Sequence, residues 1–371
     1  MKNKRDFVHV YSGTQGSAGL YINEILLALS DNDRISQKAF VSYYYPFNNA
    51  CKIFYKFTDL ASGRKKTRLR PYIRYIEMIY ALFRILCYVM VNRPKFVNYS
   101  LNSSYYPEYL FLKIVRKIFG IHLIITCHDV VPFINNYLDA SKENNRRIYL
   151  LNLADYLLVH NSNSKTDLIN YYGIKCDKII SHPFPIMDLR LLQHPVNKKN
   201  IDFLFIGHLR VEKGIDILLN AWIKYHKEFP DATLYIVGNN PPNSGIVVDK
   251  YRNLNVTFIL NYVDDRAYAQ YIASAKCVVL PYIKGTNSGI PSSAYSLGTK
   301  LIVSDISMFK NNVLIDRNAL FKSGDSFSLY EKMKEIDRCS NLLEIEQKME
   351  KYHLEFREKV NRLYEELYNI V

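Results

Sequence analysis

The sequence predicts an α/β protein built from two doubly wound domains, each a parallel sheet with helices on both faces. The chain has 371 residues, a length that suits two domains. Short β-rich runs alternate with amphipathic helical runs, which is the order typical of parallel sheets. This alternation stops over residues 183–200, a polar stretch containing prolines, and then starts again.

The first half of the chain is predicted to be an N-terminal domain of residues 1–185. Each predicted strand is a short apolar run, and each predicted helix repeats apolar residues at helical spacing. The predicted strands are 7–11, 39–44, 96–99, 122–127 and 156–160. The predicted helices are 16–30, 107–119 and 144–153. Residues 186–200 are predicted to be a linker.

The same rhythm returns after the linker and predicts a second domain over residues 201–345, followed by a charged helical tail over 346–371. The predicted strands are 203–207, 233–238, 256–260, 277–281 and 301–304. The predicted helices are 214–229, 266–274 and 292–297. Because doubly wound sheets bind ligands beyond the carboxyl ends of their strands, a central cleft between the two domains is the predicted ligand site.

The composition excludes several classes of protein. Hydrophobic residues make up 49% of the chain and charged residues 23%, which excludes a disordered chain or a small disulfide scaffold. The six cysteines include no C-x-x-C pair and no zinc-type spacing, so reduced thiols in a cytoplasmic protein are expected. No apolar segment follows the charged N-terminus, and no signal peptide is predicted. The apolar stretch 71–91 carries Arg74, Glu77 and Arg84, so a transmembrane span is not predicted.

Positive charge is concentrated in one segment of the chain. The net charge is +14, from 49 Lys and Arg against 35 Asp and Glu. Residues 64–95 hold one acidic side chain, Glu77, and the following basic residues: Arg64, Lys65, Lys66, Arg68, Arg70, Arg74, Arg84, Arg93 and Lys95. Aromatic and aliphatic residues are interleaved with these cations, which favours an anionic membrane surface as partner. A domain helix with an exposed basic start is an alternative, and so is nucleic acid, for which no recognition motif is present.

A loop after the predicted strand 203–207 has the residues expected of an anion site. Gly207 ends the strand, the loop delivers Arg210 and Lys213, and a helix begins near Gly214. The start of a helix supplies free N–H groups and the positive end of its dipole. A guanidinium and an ammonium beside it suit a pyrophosphate. A solvated basic loop is the alternative interpretation of the same residues.

A second loop, after the predicted strand 277–281, is rich in small polar residues. Thr286, Asn287, Ser288 and Gly289 offer backbone N–H groups and hydroxyls at short range before a helix begins at Ser292. Such a loop allows a polar ligand to approach the backbone closely. An ordinary strand-to-helix turn is the alternative, but that would need fewer residues.

These two loops and several shorter motifs resemble the retaining nucleotide-sugar glycosyltransferases of the GT-B fold, glycosyltransferase family 4. The first loop is a G-x-x-R-x-x-K-G motif, and the other matching segments are 234–238, 264–265, 280–282, 288–290 and 320–325. The resemblance covers most of residues 201–325 and is fainter over residues 1–182. In the fainter part, Gly13, Gly16 and Gly19 stand where the family has its N-terminal glycine loop, and His128 follows a strand as the family's histidine does.

The resemblance implies a GT-B fold of two Rossmann-like domains and assigns roles to individual residues. The residues implied to bind the donor nucleotide sugar are Arg210, Lys213 and Gly16 for the diphosphate, Asn287, Ser288, Gly289, Ile290 and Ser293 for the sugar and ribose, and Gly238 and Val263 for the base. His128 is implied to act at the reacting carbon. Asp129 and Ser162 are implied to lie on the acceptor side.

The activity implied by the resemblance is transfer of a hexose-type sugar, with retention, from a nucleoside-diphosphate sugar to a lipid-linked or polysaccharide acceptor in bacterial surface glycan synthesis. Such a protein would work at the inner face of the plasma membrane. In this family the leaving diphosphate takes the acceptor proton, so no metal or other cofactor is expected.

One departure from the family is visible, because Gly285 and Ser293 stand where it commonly has two glutamates. The alternative enzyme is a nucleotide-sugar 2-epimerase of the same fold, which would need acidic catalytic residues that the sequence does not offer. The alternative outside the enzymes is a basic nucleic-acid-binding protein.

Overall fold

The chain forms two compact α/β units in the computed structural model. The described residues are 6–13, 17–59, 62, 64, 67–101, 105–128, 130, 140–186, 189–190, 199–239, 248–251, 253–285, 288–336 and 342–370. Unit 1 comprises Met1–Pro185 and Leu354–Val371, and unit 2 comprises Ile186–His353. Both units have parallel sheets with helices between the strands, so the predicted fold class is confirmed.

Unit 1 is built on a seven-stranded parallel sheet in the order β3-β2-β1-β4-β5-β6-β7. Its strands are β1 (Phe7–Val10), β2 (Gln37–Ser42), β3 (Cys51–Phe54), β4 (Phe96–Ser100), β5 (His122–Thr126), β6 (Tyr156–Val159) and β7 (Ile179–Ser181). Its helices are α1 (Ser17–Ala28), α2 (Arg70–Asn92), α3 (Tyr106–Lys113), α4 (Ala140–Leu153) and α5 (Ser162–Tyr172). One turn of π-helix, Ile114–Ile118, extends α3. The order of strands reverses direction at β1, which is where doubly wound sheets open a crevice.

Unit 2 is built on a six-stranded parallel sheet in the order β10-β9-β8-β11-β12-β13. Its strands are β8 (Ile201–Ile206), β9 (Leu234–Val237), β10 (Val256–Ile259), β11 (Ala275–Leu280), β12 (Lys300–Ser304) and β13 (Leu320–Phe321). Its helices are α6 (Ile215–Glu228), α7 (Asp265–Ser274), α8 (Ile290–Ser296), α9 (Ser307–Lys310) and α10 (Ser326–Lys334). Strands β8 and β11 are buried almost throughout, because helices cover both faces of the sheet.

The last helix, α11 (Leu342–Ile370), is not a separate tail as the sequence predicts from residue 346. Residues from Leu354 onward belong to unit 1, where apolar side chains at helical spacing pack into the core. The buried ring of Tyr364 lies 5.0 Å from that of Phe7, and its hydroxyl accepts a hydrogen bond of 3.0 Å from the side chain of Asn98. Asn361 donates a further bond to the carbonyl of Ala28.

Helix α2 packs one face into unit 1 and leaves the other exposed. Its buried residues are Met78, Ala81, Leu82, Ile85 and Val89. By length and composition it could also cross a membrane, although the sequence predicts no span here because of its charged residues. Two of its charged residues contact the chain before the helix, since Arg70 donates to the carbonyl of Thr58 and Glu77 accepts from the backbone of Phe57, whereas Arg84 is exposed.

Candidate functional site

The loop from Gly207 to Gly214 leaves the buried strand β8 at the carboxyl edge of the unit 2 sheet. The amide of Gly207 donates to the carbonyl of Val237 at 3.0 Å, so the loop starts from a fixed point on β9. A short 3-10 turn, Val211–Lys213, follows Arg210, and Gly214 then takes the left-handed conformation with φ of 62°. Helix α6 begins at the next residue, so both cations precede its N-terminus directly.

The structure places this loop directly against the second loop predicted from the sequence. The carbonyl of Glu212 accepts hydrogen bonds from the amides of Ile283 and Lys284, at 2.9 and 3.4 Å. A Cβ atom on Gly214 would lie 2.0 Å from the carbonyl oxygen of Pro281, so only glycine allows the two backbones to approach this closely. The two loops are therefore held together by main-chain contacts.

Arg210 and Lys213 make the local environment positive. The ammonium of Lys213 lies 3.6 Å from the centroid of the Tyr282 ring, a cation–π contact that holds the side chain over the second loop. Burial lowers the pKa of His208, and the charges of Arg210 and Lys213 lower it further. His208 is therefore neutral and feels the positive potential of the two cations, the sign of potential that an anionic ligand requires.

Gly238 and Val263, the residues implied to border the base, lie at the carboxyl edge of the same sheet. Gly238 follows β9 with φ of 148°, and a Cβ atom there would lie 1.8 Å from the carbonyl oxygen of Gly207. This contact explains why the residue after β9 is glycine, and the φ of 142° at Gly207 favours glycine after β8 as well. Val263 is half-buried and precedes Asp264, whose carboxylate caps α7 by accepting from the amide of Ala267 at 2.8 Å.

The described residues of the second loop are not equally accessible. Ser288, Gly289 and Ile290 are half-buried, and Ile290 reaches to within 3.7 Å of the Cβ position of Gly207. Ser293 is 3% exposed, and its hydroxyl forms a hydrogen bond with that of Tyr268. The one hydroxyl at the position of the family's glutamate is thus already engaged. Asn287 lies outside the described residues.

At the carboxyl edge of the unit 1 sheet, three neighbouring strands each deliver a histidine. His128 follows β5, His160 follows β6 and His182 follows β7. Parallel pairing sets Val159 of β6 opposite Ser181 of β7, so the next residues of these strands are neighbours. The sequence predicts a role for His128 alone. His160 and His182 are not part of a recognisable sequence motif. The only feature of the sequence that could have pointed to them is that each comes just after a strand, as His128 does.

These histidines form a hydrogen-bonded and aromatic cluster. Nε2 of His160 lies 3.0 Å from Nδ1 of His128, and the hydroxyl of Tyr21 lies 2.9 Å from Nε2 of His182. The edge of the Tyr21 ring meets the His128 ring at a centroid distance of 4.7 Å, and the rings of His160 and Phe184 are 4.9 Å apart. The cluster is therefore a group of packed aromatic and imidazole rings joined by two polar contacts.

All three imidazoles are neutral near pH 7. Burial lowers the pKa of His128 to about 4, and the neighbouring His182 lowers it in the same direction. Burial also lowers the pKa of His182 to about 4 and holds that of His160 well below its usual range. Nε2 of His128 is buried and has no hydrogen-bond partner among the residues that the structure describes. An unsatisfied buried polar atom costs about 1–3 kcal/mol, so this nitrogen is suited to meeting a ligand.

The remaining acceptor-side prediction is Ser162, which lies close to this cluster along the chain. It is the exposed first residue of α5, two residues after His160. The side chain of Asn161 caps the helix by accepting from the amide of Ser164 at 2.7 Å. Asp129 and Gly16 lie outside the described residues. Within the described part of the chain, no group of three or more His, Cys, Asp or Glu side chains could hold a metal ion.

Comparison with known families connects both units to sugar-transferring proteins. Residues 200–337 match the family model described as Glycosyl transferases group 1. Residues 99–184 match the model described as Glucosyltransferase 3-like, N-terminal domain. The first match contains both loops of unit 2, and the second contains His128 and His160.

Individual proteins give the same result. A D-inositol 3-phosphate glycosyltransferase of Corynebacterium aurimucosum is 26% identical over 223 residues, 52% of this chain and 52% of that protein. This chain thus matches about half the length of that curated relative. A sucrose-phosphate synthase from Thermosynechococcus elongatus has a TM-score of 0.67 at 15% identity, covering 99% of this chain and 100% of that one.

An epimerase has the same fold. The UDP-GlcNAc 2-epimerase from Neisseria meningitidis, solved with UDP-GlcNAc bound, has a TM-score of 0.55 at 14% identity, covering 98% of this chain and 99% of that one. At such identities the solved structures establish the fold alone. Together with the family match, they confirm the resemblance to GT-B glycosyltransferases.

The close approach at Gly214 gives a stability prediction with a matched control. Gly298 has nearly the same backbone conformation, with φ of 61°, but nothing lies within 4 Å of its Cβ position. Gly298→Ala is expected to cost about 1–2 kcal/mol for the left-handed conformation alone. Gly214→Ala is expected to cost about 1–3 kcal/mol more, because the methyl group collides with Pro281. Urea unfolding of both variants measures the difference, and equal losses would contradict the proposed contact.

Proposed function

We propose that this chain is a retaining glycosyltransferase that moves a hexose-type sugar from a nucleoside-diphosphate sugar to a lipid-linked or polysaccharide acceptor in bacterial surface glycan synthesis. The observation that carries the proposal is the G-x-x-R-x-x-K-G loop of unit 2. This loop lies within the segment that matches the glycosyl transferases group 1 model. The carbonyl of Glu212 fixes it against the second loop, the one that contains Ser288–Ile290, by accepting hydrogen bonds from the amides of Ile283 and Lys284. Arg210 and Lys213 hold the diphosphate in this proposal.

The proposed chemistry relies on positioning and charge. The bond between the anomeric carbon and the diphosphate oxygen breaks, and a bond from that carbon to the acceptor oxygen forms on the same face. The acceptor proton passes to the leaving diphosphate, whose charge Arg210 and Lys213 stabilise. The contact of 3.6 Å with the buried Tyr282 ring holds the Lys213 ammonium over the second loop, where it is placed to meet the diphosphate through a charge-assisted hydrogen bond.

His128 of unit 1 contacts the donor sugar or the acceptor near the reacting carbon in this proposal. Its neutral ring offers Nε2, which no described residue satisfies, for a hydrogen bond with a sugar hydroxyl. A neutral imidazole suits this task better than a charged one, since it forms one directed bond without repelling a developing cationic centre. Ser162 remains a proposed acceptor-side residue, and Gly238 and Val263 remain proposed neighbours of the base.

A nucleotide-sugar 2-epimerase is the second candidate, because proteins of that activity share the fold. The family match over residues 200–337 favours the transferase. The two activities differ in their products. A transferase releases a nucleoside diphosphate as the sugar reaches an acceptor, whereas a 2-epimerase converts one nucleotide sugar into another and needs no acceptor. Incubation of UDP- and GDP-sugars with a bacterial lipid extract, followed by chromatography, separates them. A nucleic-acid-binding protein would instead bind DNA or RNA and no nucleoside diphosphate.

The first test concerns diphosphate binding. Lys213→Ala is expected to weaken binding of UDP or GDP about 10- to 150-fold, because a charged hydrogen bond contributes about 1.5–3 kcal/mol. Titration calorimetry measures the affinity, and Lys322→Ala is the control, since Lys322 is an exposed lysine elsewhere in unit 2. Unchanged affinity in Lys213→Ala would remove this lysine from the site.

The second test concerns metal dependence. We propose that the two cations replace a divalent ion, so turnover should be equal in EDTA and in magnesium. The released nucleoside diphosphate is measured with whichever donor the calorimetry identifies. An absolute requirement for a divalent ion would contradict the proposed mechanism.

We also propose that the protein docks peripherally on the cytoplasmic face of the membrane, through α2 and α3. Helix α2 exposes an apolar stripe at helical spacing, formed by Tyr72, Ile76, Ile79, Phe83 and Met90. Tyr72, Ile76 and Phe83 are 71%, 65% and 62% exposed. Helix α3 packs beside α2 and adds the exposed side chains of Tyr106 and Leu110.

The charges around this surface favour anionic lipid as its partner. Both carboxylates of residues 70–118 are engaged: Glu77 accepts from the backbone of Phe57 and Thr58, and Glu108 is buried against the hydroxyl of Tyr99. Exposed cations are present at Arg68, Arg84, Lys113 and Lys117. A second copy of the chain would bring the same positive surface and repel, whereas phosphate head groups attract.

The structure changes the set of cations that the sequence assigns to the membrane. Arg70 donates two hydrogen bonds to the carbonyl of Thr58, and Arg74 lies 3.6 Å from the centroid of the Tyr55 ring. Arg93 and Lys95 lie over the rings of Phe119 and Tyr368. These four cations contact the protein, although Arg93 is also exposed, and Arg64 lies 4.8 Å from the centroid of the Phe57 ring; Lys65 and Lys66 lie outside the described residues. We therefore propose that the contact uses the apolar stripe together with the exposed cations, among them Arg68 and Arg84.

Vesicle sedimentation tests the docking surface. Wild-type protein is expected to pellet with anionic but not with neutral vesicles, and less at 1 M salt, where the Debye length falls to about 3 Å. Replacing Ile76, Ile79 and Phe83 together by Ser should release it. The control replaces Phe327, Leu343 and Leu354 by Ser, because these side chains are similarly exposed elsewhere. Equal pelleting of both triple variants would contradict the proposal.

A further inference from the structure

The proposed transfer reaction gives a role to His128, but it does not explain why His160, which contacts His128, and His182 are also histidines. His160 is 9% exposed and His182 is 5% exposed, so neither presents much surface to a substrate. Yet both are polar, both are neutral, and both have ring nitrogens facing other side chains. A purely structural position would be served equally well by an aliphatic or aromatic residue, without the cost of burying imidazole nitrogens.

The direct bond between His160 and His128 fixes which atom of His128 is available. A neutral imidazole has one N–H donor and one bare nitrogen acceptor. The contact of 3.0 Å between Nε2 of His160 and Nδ1 of His128 shares a single proton, whichever ring carries it. Nδ1 of His128 is therefore occupied, and Nε2 is the atom that remains.

Three aromatic rings surround His128, and its bond to His160 is what distinguishes the two orientations of its ring. The ring of Tyr21 meets it edge-on at 4.7 Å, that of Tyr11 at 6.1 Å and that of Phe184 at 6.4 Å. Tyr21 is itself held by the contact of 2.9 Å between its hydroxyl and Nε2 of His182. A flip of the His128 ring would break its bond to His160 while leaving the same three walls in place.

We propose that His160 is a positioning residue for His128, which it holds in one ring orientation and one tautomer so that Nε2 faces the substrate. His182 supports the arrangement through Tyr21. This inference rests on the proposed function for the identity of the substrate, a nucleotide sugar or its acceptor. The orientation of the His128 ring does not depend on that identity.

Nuclear magnetic resonance of protein labelled with ¹⁵N-histidine tests the orientation without any ligand. In the wild type, the two ring nitrogens of His128 should give well-separated shifts typical of one tautomer. His160→Phe keeps an aromatic ring against Tyr21 and Phe184 but removes the bond, so the two shifts should move towards their average. His160→Gln retains a group able to donate or accept, and should restore the separation. His122→Phe, at the opposite end of β5, is the control and should leave His128 unchanged.

A double-mutant cycle separates positioning from general structural support. With UDP-glucose as donor and water as acceptor, His160→Phe should lower the rate of UDP release about tenfold, the effect of one lost orienting hydrogen bond. In a His128→Ala background, the same change should have no further effect, because His160 acts only through His128. Nucleotide affinity should be unchanged in all of these variants.

The outcomes distinguish failure of this inference from failure of the proposed function. An unchanged His128 spectrum in His160→Phe would overturn the positioning role, and so would an equal loss of rate in the two backgrounds. If no variant, including the wild type, releases UDP, the proposed function with this donor fails, and the spectra alone decide the role of His160.

Discussion

Parallel strand pairing is the constraint on which both candidate sites depend. In a parallel sheet all strands end at the same edge, so residues that follow different strands become neighbours whatever their separation along the chain. In unit 1 the pairing of Thr126 with Leu158 and of Val159 with Ser181 aligns the ends of three strands. Three histidines separated by 32 and 22 residues of sequence therefore form one cluster. The intervening helices can vary in length without disturbing this arrangement.

In unit 2 the same edge is tightened by backbone contacts that require glycine. Gly238 lies against the carbonyl of Gly207, and Gly214 lies against that of Pro281. Each contact links a strand end or loop to its neighbour in the sheet, so the cationic loop is positioned by three elements at once. A loop fixed in this way loses little conformational entropy when a ligand binds, which favours affinity. This explains why the two loops are informative together, although each alone could be an ordinary turn.

The sequence predicts the sheets well because buried parallel strands are short apolar runs whose pattern is local. It misses β3, β7 and β13, since Cys51–Phe54 carries a lysine and the other two strands have only three and two residues. It also misses α5, which buries little more than Ser164 and Leu168 and so has no clear apolar stripe. Among the candidate site residues, the motif-bearing Arg210 and Lys213 could be found from sequence. For His160 the sequence offers only its position at the end of a predicted strand, and the register of the sheet is needed to bring it to His128.

The charge of the chain shows the same difference between sequence and structure. A count along the sequence places an excess of positive charge in residues 64–95, but a helix distributes those side chains around its axis. Arg70, Arg74, Arg93 and Lys95 meet carbonyls or aromatic rings of the protein, and Glu77 satisfies backbone amides. What α2 presents outward is an apolar stripe accompanied by few cations and no exposed carboxylate. We propose an anionic membrane as the partner of this face because a membrane also has an apolar layer, whereas a polyanion without one would leave the stripe in water.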